Sequence, residues 1–334
     1  MTSKIMVALA VVTLIVSCSL RDTDSEKNNS SILNSPRFSG ITDSINRFPG
    51  SAELYVKRAL MLSQLNEHDA ASADYKKAYE LSGDEHVMLD YASNLMLSQN
   101  VNKAIQLLEE GIKKFPSNTE FSRRLAEIHL QKGDARDALN EYDKILLADS
   151  SNFEAWYDKG LLLAKLKDTA GAIEALEKSF SLVPISYSGM ALAGIYVAQK
   201  NPRALTICDM ILARDTAEMQ TEPVFMKGAY FADTKQYDEA LKQFDECIKR
   251  DWKMTDAYIE KGIILFERRN YDEALKQFTM TTTVSNTDAD GYFWLGRCYE
   301  MMGKKEEAIA NYERALALDD TFTEARAALR RLSS

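Results

Sequence analysis

Along most of this chain apolar residues return at spacings of three and four, the period of a helix that buries one face. Trp156, Gly160 and Leu163 share one helical face, and Ala172, Leu176 and Ser179 share another. A polar stretch at residues 165–168 separates them. The pattern predicts two helices joined by a tight turn. Large residues fill the space between the helices, and small ones let the axes approach to about 8–10 Å. Pro184 falls just past the second stretch, where its ring stops further winding.

The unit repeats. YDEALKQF at residues 237–244 returns 34 residues later at 271–278, and a looser copy follows at 305–312. Gly160, Gly194, Gly228, Gly262 and Gly296 stand 34 residues apart; Ala126 and Ala92 extend the ladder backwards, and Ala59 lies 33 earlier. Eight small residues in register predict eight helix pairs, near residues 52–84, 85–118, 119–152, 153–186, 187–220, 221–254, 255–288 and 289–322. The fifth unit departs from the rule. Its second-helix alanine advances only 32 residues, from Ala172 to Ala204, and then 36 to Ala240. The turn at 199–202 is therefore short and the exit at 214–221 long, with Pro223 suited to the first turn of the next helix. This is either a tolerated change of loop length or a local change of curvature. A lone helix near residues 41–48 precedes the units. A last helix at 323–334, with Ala325, Leu329 and Leu332 on one side, closes them as a polar-faced cap.

A 34-residue helix–turn–helix with this order of aromatic, small and bulky positions resembles the tetratricopeptide repeat (TPR). The last unit carries it most fully, in Tyr292, Leu295, Gly296, Tyr299, Ala308, Tyr312 and Ala315. The resemblance implies an all-α fold: a TPR helix–turn–helix solenoid, wound as a right-handed superhelix of about eight repeats plus capping helices, continuous over residues 36–334. It also implies a protein or peptide partner on the concave face, which first-helix residues outside the core line. In repeats one to three these include Val56, Leu60, Leu89, Ser93, Arg123 and Glu127. In the later repeats they form an apolar candidate groove of Tyr157, Leu161, Ile195, Phe225, Ile259, Ile263, Phe266, Phe293 and Arg297. Such a groove suits an amphipathic helix or an extended peptide, unless the same residues pack against the neighbouring repeat. Members of the family that clamp a C-terminal carboxylate carry Lys and Asn here, whereas this chain places Val56, Leu60, Leu89 and Ser93 there.

Charge and motifs narrow the function. The chain carries a formal charge of −9, which repels phosphate backbones, so nucleic acid is not an expected partner. The four cysteines form no CxxC pair, and His68, His86 and His129 lie far apart in sequence. No metal or cofactor is expected, and His129 reads as a core residue. Cys208, Cys247 and Cys298 read as buried small hydrophobes, with a Cys208–Cys247 bridge between adjacent second helices as the lesser alternative that an export compartment allows. No nucleophile elbow, phosphate loop or dinucleotide fingerprint occurs, so the chain reads as a non-enzyme. Acidic residues that open first helices, such as Glu120, Glu154, Asp256 and Asp290, fit the positive end of the helix dipole.

The N-terminus adds an anchor. Lys4 precedes an apolar run over residues 5–16, about 18 Å of helix and short of a bilayer's hydrocarbon core. That is the build of a signal peptide, residues 1–17. Ile15, Val16 and Ser17 before Cys18 resemble the bacterial lipobox, which implies acylation at Cys18, with palmitate among the lipids, and firm membrane attachment through that anchor. Residues 18–35 are polar and read as a flexible tether. The chain is thus expected in the cell envelope, lipid-anchored at the outer membrane and facing the periplasm. Asp22, Asp24 and Glu26 loosely resemble a surface-export signal and keep surface exposure open. The expected role is a membrane-anchored scaffold for protein–protein interaction in assembly of an envelope complex. The alternative is a chaperone-like carrier of apolar segments of exported polypeptides.

Overall fold

The computed structural model describes residues 32–33, 35–184 and 186–333. The leader and Cys18 lie outside them. Among the described residues the regular elements are eighteen helices and no strands. No helix among them is long and apolar enough to cross a membrane. They fall into two compact units that meet at Ser150 and Ser151.

The first unit holds α1 (Pro36–Arg47), α2 (Ala52–Ser63), α3 (His68–Ser82), α4 (Glu85–Leu97), α5 (Val101–Lys114), α6 (Glu120–Lys132) and α7 (Ala135–Ala148). The lone first helix begins earlier than its apolar pattern predicts. Pro36 sits in its first turn, where a missing N–H costs nothing, and Phe38 joins the core. Ile32 and Leu33, from the end of the expected tether, pack on the same cluster as Phe38, Leu62 and Tyr75.

The second unit holds α8 (Phe153–Lys165), α9 (Thr169–Leu182), α10 (Ser186–Ala198), α11 (Arg203–Leu212), α12 (Glu222–Asp233), α13 (Tyr237–Arg250), α14 (Thr255–Glu267), α15 (Tyr271–Val284), α16 (Ala289–Met301), α17 (Lys305–Leu318) and α18 (Thr323–Ser333). Eight helix pairs, α2/α3 to α16/α17, match the eight predicted repeats.

One turn serves all eight. Its left-handed residue is Asn66, Gln99, Gly133, Lys167, Lys200, Lys235, Arg269 or Gly303. In the fourth pair Lys167 N–H donates to Ala164 O at 3.0 Å and Asp168 N–H donates to Leu163 O at 2.9 Å. These are the paired bonds of a Schellman turn, which satisfy carbonyls that the helix end leaves open. The same two bonds recur at Lys235 with Gln236 and at Arg269 with Asn270.

The small-residue ladder works by close approach. A β-carbon on Gly228, Gly262 or Gly296 would meet the ring of Phe244, Phe278 or Tyr312 at 2.6, 2.5 and 2.7 Å. Gly194 is different: its nearest neighbour for such an atom is Met226 at 3.6 Å, an ordinary contact. The reason is register. In every other repeat the small residue lies seven positions before the left-handed turn residue, and in the fifth that position is Ala193, which is fully buried. The glycine ladder thus marks the wrong residue there by one. Ala204 also comes one position early after its turn, and Cys208 stands where the other late repeats place Leu176, Phe244, Phe278 and Tyr312. A small residue at the bulky place leaves room for a β-carbon on Ala193.

Candidate functional site

The first helices of the second unit present the predicted groove residues as follows. Leu161 is 40% exposed. Tyr157, Ile195, Phe225, Ile259, Ile263, Phe266 and Arg297 are half-buried. Tyr157 meets Tyr187 edge-on at 4.5 Å, and Phe225 leans on the core ring of Phe244 at 5.5 Å. Phe266 lies against Trp294 at 5.5 Å and Tyr271 at 5.2 Å. The Arg297 guanidinium covers this aromatic group, 5.3 Å from the Phe266 ring and 5.6 Å from Trp294.

Two residues differ from the rest. Phe293 is only 7% exposed, because Phe322 at 4.9 Å and Tyr312 at 5.8 Å close over its ring. It belongs to the core beneath the C-terminal cap and offers a partner little area. Ile195 lies five positions before its turn residue, the place of the buried Leu162, Tyr230, Ile264 and Cys298 in neighbouring repeats. It packs on the cluster of Leu192, Tyr196 and Ile207. The register slip puts Gly194 in line with Leu161, Ile263 and Arg297, and brings Tyr187 and Met190 into the positions of Glu154 and Tyr157. Tyr187 is 43% exposed, and the 34-residue ladder alone did not point to it. The 32-residue step between Ala172 and Ala204 was the signal that could have.

The face is acidic as well as apolar. Burial, followed by the carboxylates of Asp233, Asp256 and Glu267, pushes the Glu260 carboxyl above its usual range. Burial and the neighbouring Asp288, Asp256, Asp319 and Glu324 do the same to Asp290. For Asp290, desolvation and crowding by like charges thus outweigh the favourable helix end expected from the sequence. Beside Arg297 a recess of about 450 Å³ is lined by Glu300, Met301, Glu324 and Arg331. Arg331 is tied down by Glu300, at 2.7 and 2.8 Å.

In the first unit the corresponding face is more polar. A recess of about 540 Å³ opens between α4 and α6, lined by Ser93, Met96, Leu97, Arg123, Arg124, Glu127 and Ile128. Arg124 donates to Glu120 at 2.9 Å, to Leu89 O at 2.9 Å and to the Ser93 hydroxyl. Arg123 reaches the other Glu120 oxygen at 3.0 Å. These arginines serve the wall before any ligand arrives.

The three later cysteines are free and buried, and burial pushes each thiol up to about 12. They are poor nucleophiles at neutral pH.

Tetratricopeptide-repeat family models match residues 52–85, 95–166, 153–184, 225–282 and 289–322. Over a short stretch of 36 residues the chain is 53% identical to Tetratricopeptide repeat protein 1 of Schizosaccharomyces pombe, which is 11% of this chain and 4% of that protein's length. Among solved structures, PilW, described as a type IV pilus biogenesis factor, superposes with a TM-score of 0.53 at 17% identity over 65% of this chain and 98% of its own. Yeast Tom70 gives 0.53 at 19% identity, over 84% of this chain and 58% of Tom70. The C-terminal part of a repeat protein from Cytophaga hutchinsonii gives 0.55 at 16% identity, over 72% of this chain and 98% of its own. At these identities the likeness concerns the fold.

Proposed function

The chain belongs to the tetratricopeptide-repeat family, and from that premise we propose that it is a lipid-anchored scaffold of the cell envelope that grips a basic, amphipathic segment of a partner protein. One observation carries the reading. In the seventh repeat half-buried Ile259, Ile263 and Phe266 share one first helix with Glu260, and Phe225 and Asp290 stand on the first helices before and after it; the charge of both carboxyls is disfavoured where they stand. Among the described residues Glu260 makes no hydrogen bond or ion pair. A lysine or arginine from a partner would supply the missing counter-charge while the partner's apolar face covers the isoleucines. The anchor rests on the sequence before Cys18, and envelope assembly rests on the anchor joined to a protein-binding fold.

The test is cross-linked affinity capture from cells, using the chain and a Phe225→Ala/Ile259→Ala/Glu260→Lys variant whose circular dichroism matches it. A fixed set of partners, present with the chain and lost with the variant, supports the scaffold. The same set retained by the variant removes this face from the account. Many unrelated apolar polypeptides would favour the carrier instead. For the anchor, fatty-acid labelling that survives Cys18→Ser would overturn lipidation at that residue.

A further inference from the structure

The turn of the third repeat gathers chemistry that the groove does not use. His129, in the last turn of α6, comes together with Asp134 and Asp137 at the start of α7, and one ligand atom from each lies within 4.8 Å of the others. Asp134, Asp137 and Glu141 are spaced i, i+3 and i+7, so they form one stripe along α7. His129, Asp137 and Glu141 line a recess of about 450 Å³ with Asn140.

Two buried atoms in this recess have no partner. One is Nδ1 of His129; the other is Oε2 of Glu141, a residue only 5% exposed. Lys144 meets only the other oxygen, Oε1, at 2.5 Å. A buried carboxylate oxygen left open is costly, and with Lys144 on the other oxygen it still has room for a donor or a metal ion. Asp134 is not committed to its own helix: at the second-helix starts Asp168 caps by accepting a backbone N–H bond, whereas the Asp134 side chain, like those of Asn100 and Asn270, does not. Its one ion pair, to Lys132, is long at 3.6 Å.

We infer that this turn is a binding site for a first-row divalent cation of the Zn²⁺ class, held by His129, Asp134 and Asp137, with Glu141 supplying buried negative charge behind them. One imidazole with carboxylates suits such an ion better than Ca²⁺ or Mg²⁺, which prefer oxygen alone. Zn–N and Zn–O bonds of about 2.0–2.2 Å put ligand atoms roughly 3.4 Å apart, so from separations within 4.8 Å the two exposed aspartates need to close in by at most about 1.4 Å. The bound ion would staple α6 to α7 and stiffen the third repeat.

The experiment titrates the metal-free full chain with Zn²⁺ by isothermal calorimetry and follows thermal melting with and without the ion. The expected result is one ion per chain, a melting point raised by about 3 °C at saturating Zn²⁺, and no comparable response to Mg²⁺. Asp134→Asn/Asp137→Asn, two surface changes that leave the core intact, should weaken binding by about tenfold or more. Because His129→Gln risks the fold, the double variant decides the matter. Absence of saturable Zn²⁺ binding overturns the site. So does binding that the double variant leaves unchanged, which would place the ion elsewhere on the chain.

Discussion

Arg58 grips Asp74 by two parallel hydrogen bonds, Nε to Oδ2 at 2.6 Å and Nη2 to Oδ1 at 2.7 Å, with the arginine 7% and the aspartate 5% exposed. Arg58 also donates to the Thr42 hydroxyl at 3.2 Å, so one guanidinium joins α1, α2 and α3. It stands one place before the small residue Ala59, where the last repeat has Leu295 before Gly296. Lys159, Lys227 and Lys261 hold the same place in three other repeats, and in the first the basic residue is buried in an ion pair. Removing one partner leaves the other charged and dry. Arg58→Ala or Asp74→Ala should each cost about 3–5 kcal/mol, whereas Arg58→Met/Asp74→Leu together should come out near neutral. Urea unfolding of the three variants measures this.

The glycine ladder separates two substitutions that look identical in sequence. Gly262→Ala drives a methyl group to 2.5 Å from the Phe278 ring and should destabilise by about 1–3 kcal/mol. Gly194→Ala meets only Met226 at 3.6 Å, and by relieving a glycine inside a helix should stabilise by about 0.5–1 kcal/mol. Equal losses in thermal melts would mean that the fifth repeat keeps the common register.

Arg269 holds φ at 60° with an ordinary side chain. A β-carbon in that region costs about 1 kcal/mol that glycine avoids, offset in part by glycine's greater freedom in the unfolded chain. Arg269→Gly should therefore raise the melting temperature slightly, and Arg269→Val should lower it.

Glu260 makes stability depend on pH. Its carboxyl holds a proton more tightly in the folded chain than in the unfolded one, since burial and nearby carboxylates raise it. Folding then takes up a proton between the ordinary carboxylate range and the raised folded value, so stability falls as pH rises through that window. Glu260→Gln should raise the melting temperature at pH 7 and leave it unchanged near pH 4, where both proteins carry a neutral side chain. A gain that persists at pH 4 would point to packing instead of charge.

Phe293 and Ile263 test which aromatic and aliphatic side chains are core. Phe293→Ala opens a cavity under Phe322 and should cost about 3–5 kcal/mol, while the half-buried Ile263→Ala should cost less than half as much. The useful binding variant is the one that weakens capture while moving the melt least, and of these two that is Ile263→Ala.

Much of the architecture is written in the apolar spacing. Helix pairs repeat because Ala240 and Ala274 recur with Phe244 and Phe278, and that spacing fixes which faces pack. The turns were less legible. Six of the eight left-handed residues are not glycine, since two backbone hydrogen bonds hold the shape whatever the side chain. Because register is set at those turns, Ile195 was assigned from a glycine one position out of step. Phe293 was misleading for another reason: its cover comes from Phe322, beyond the repeat, which no spacing within a repeat encodes. The meeting of His129 with Asp134 and Asp137 was equally hidden, for they lie on opposite sides of a turn whose geometry brings them together.

The slip at Lys200 also sets a reading frame. First-helix side chains in repeats six to eight follow one another at even intervals, and a partner with evenly spaced anchors can stay in step with them. At the fifth repeat the count drops by one, and glycine stands where a side chain was due. Gly194 keeps the place of Leu161, Ile263 and Arg297 in the fold, so the row of side chains along these first helices has a gap at the fifth repeat. The missing side chain works as punctuation, dividing the row into two phrases.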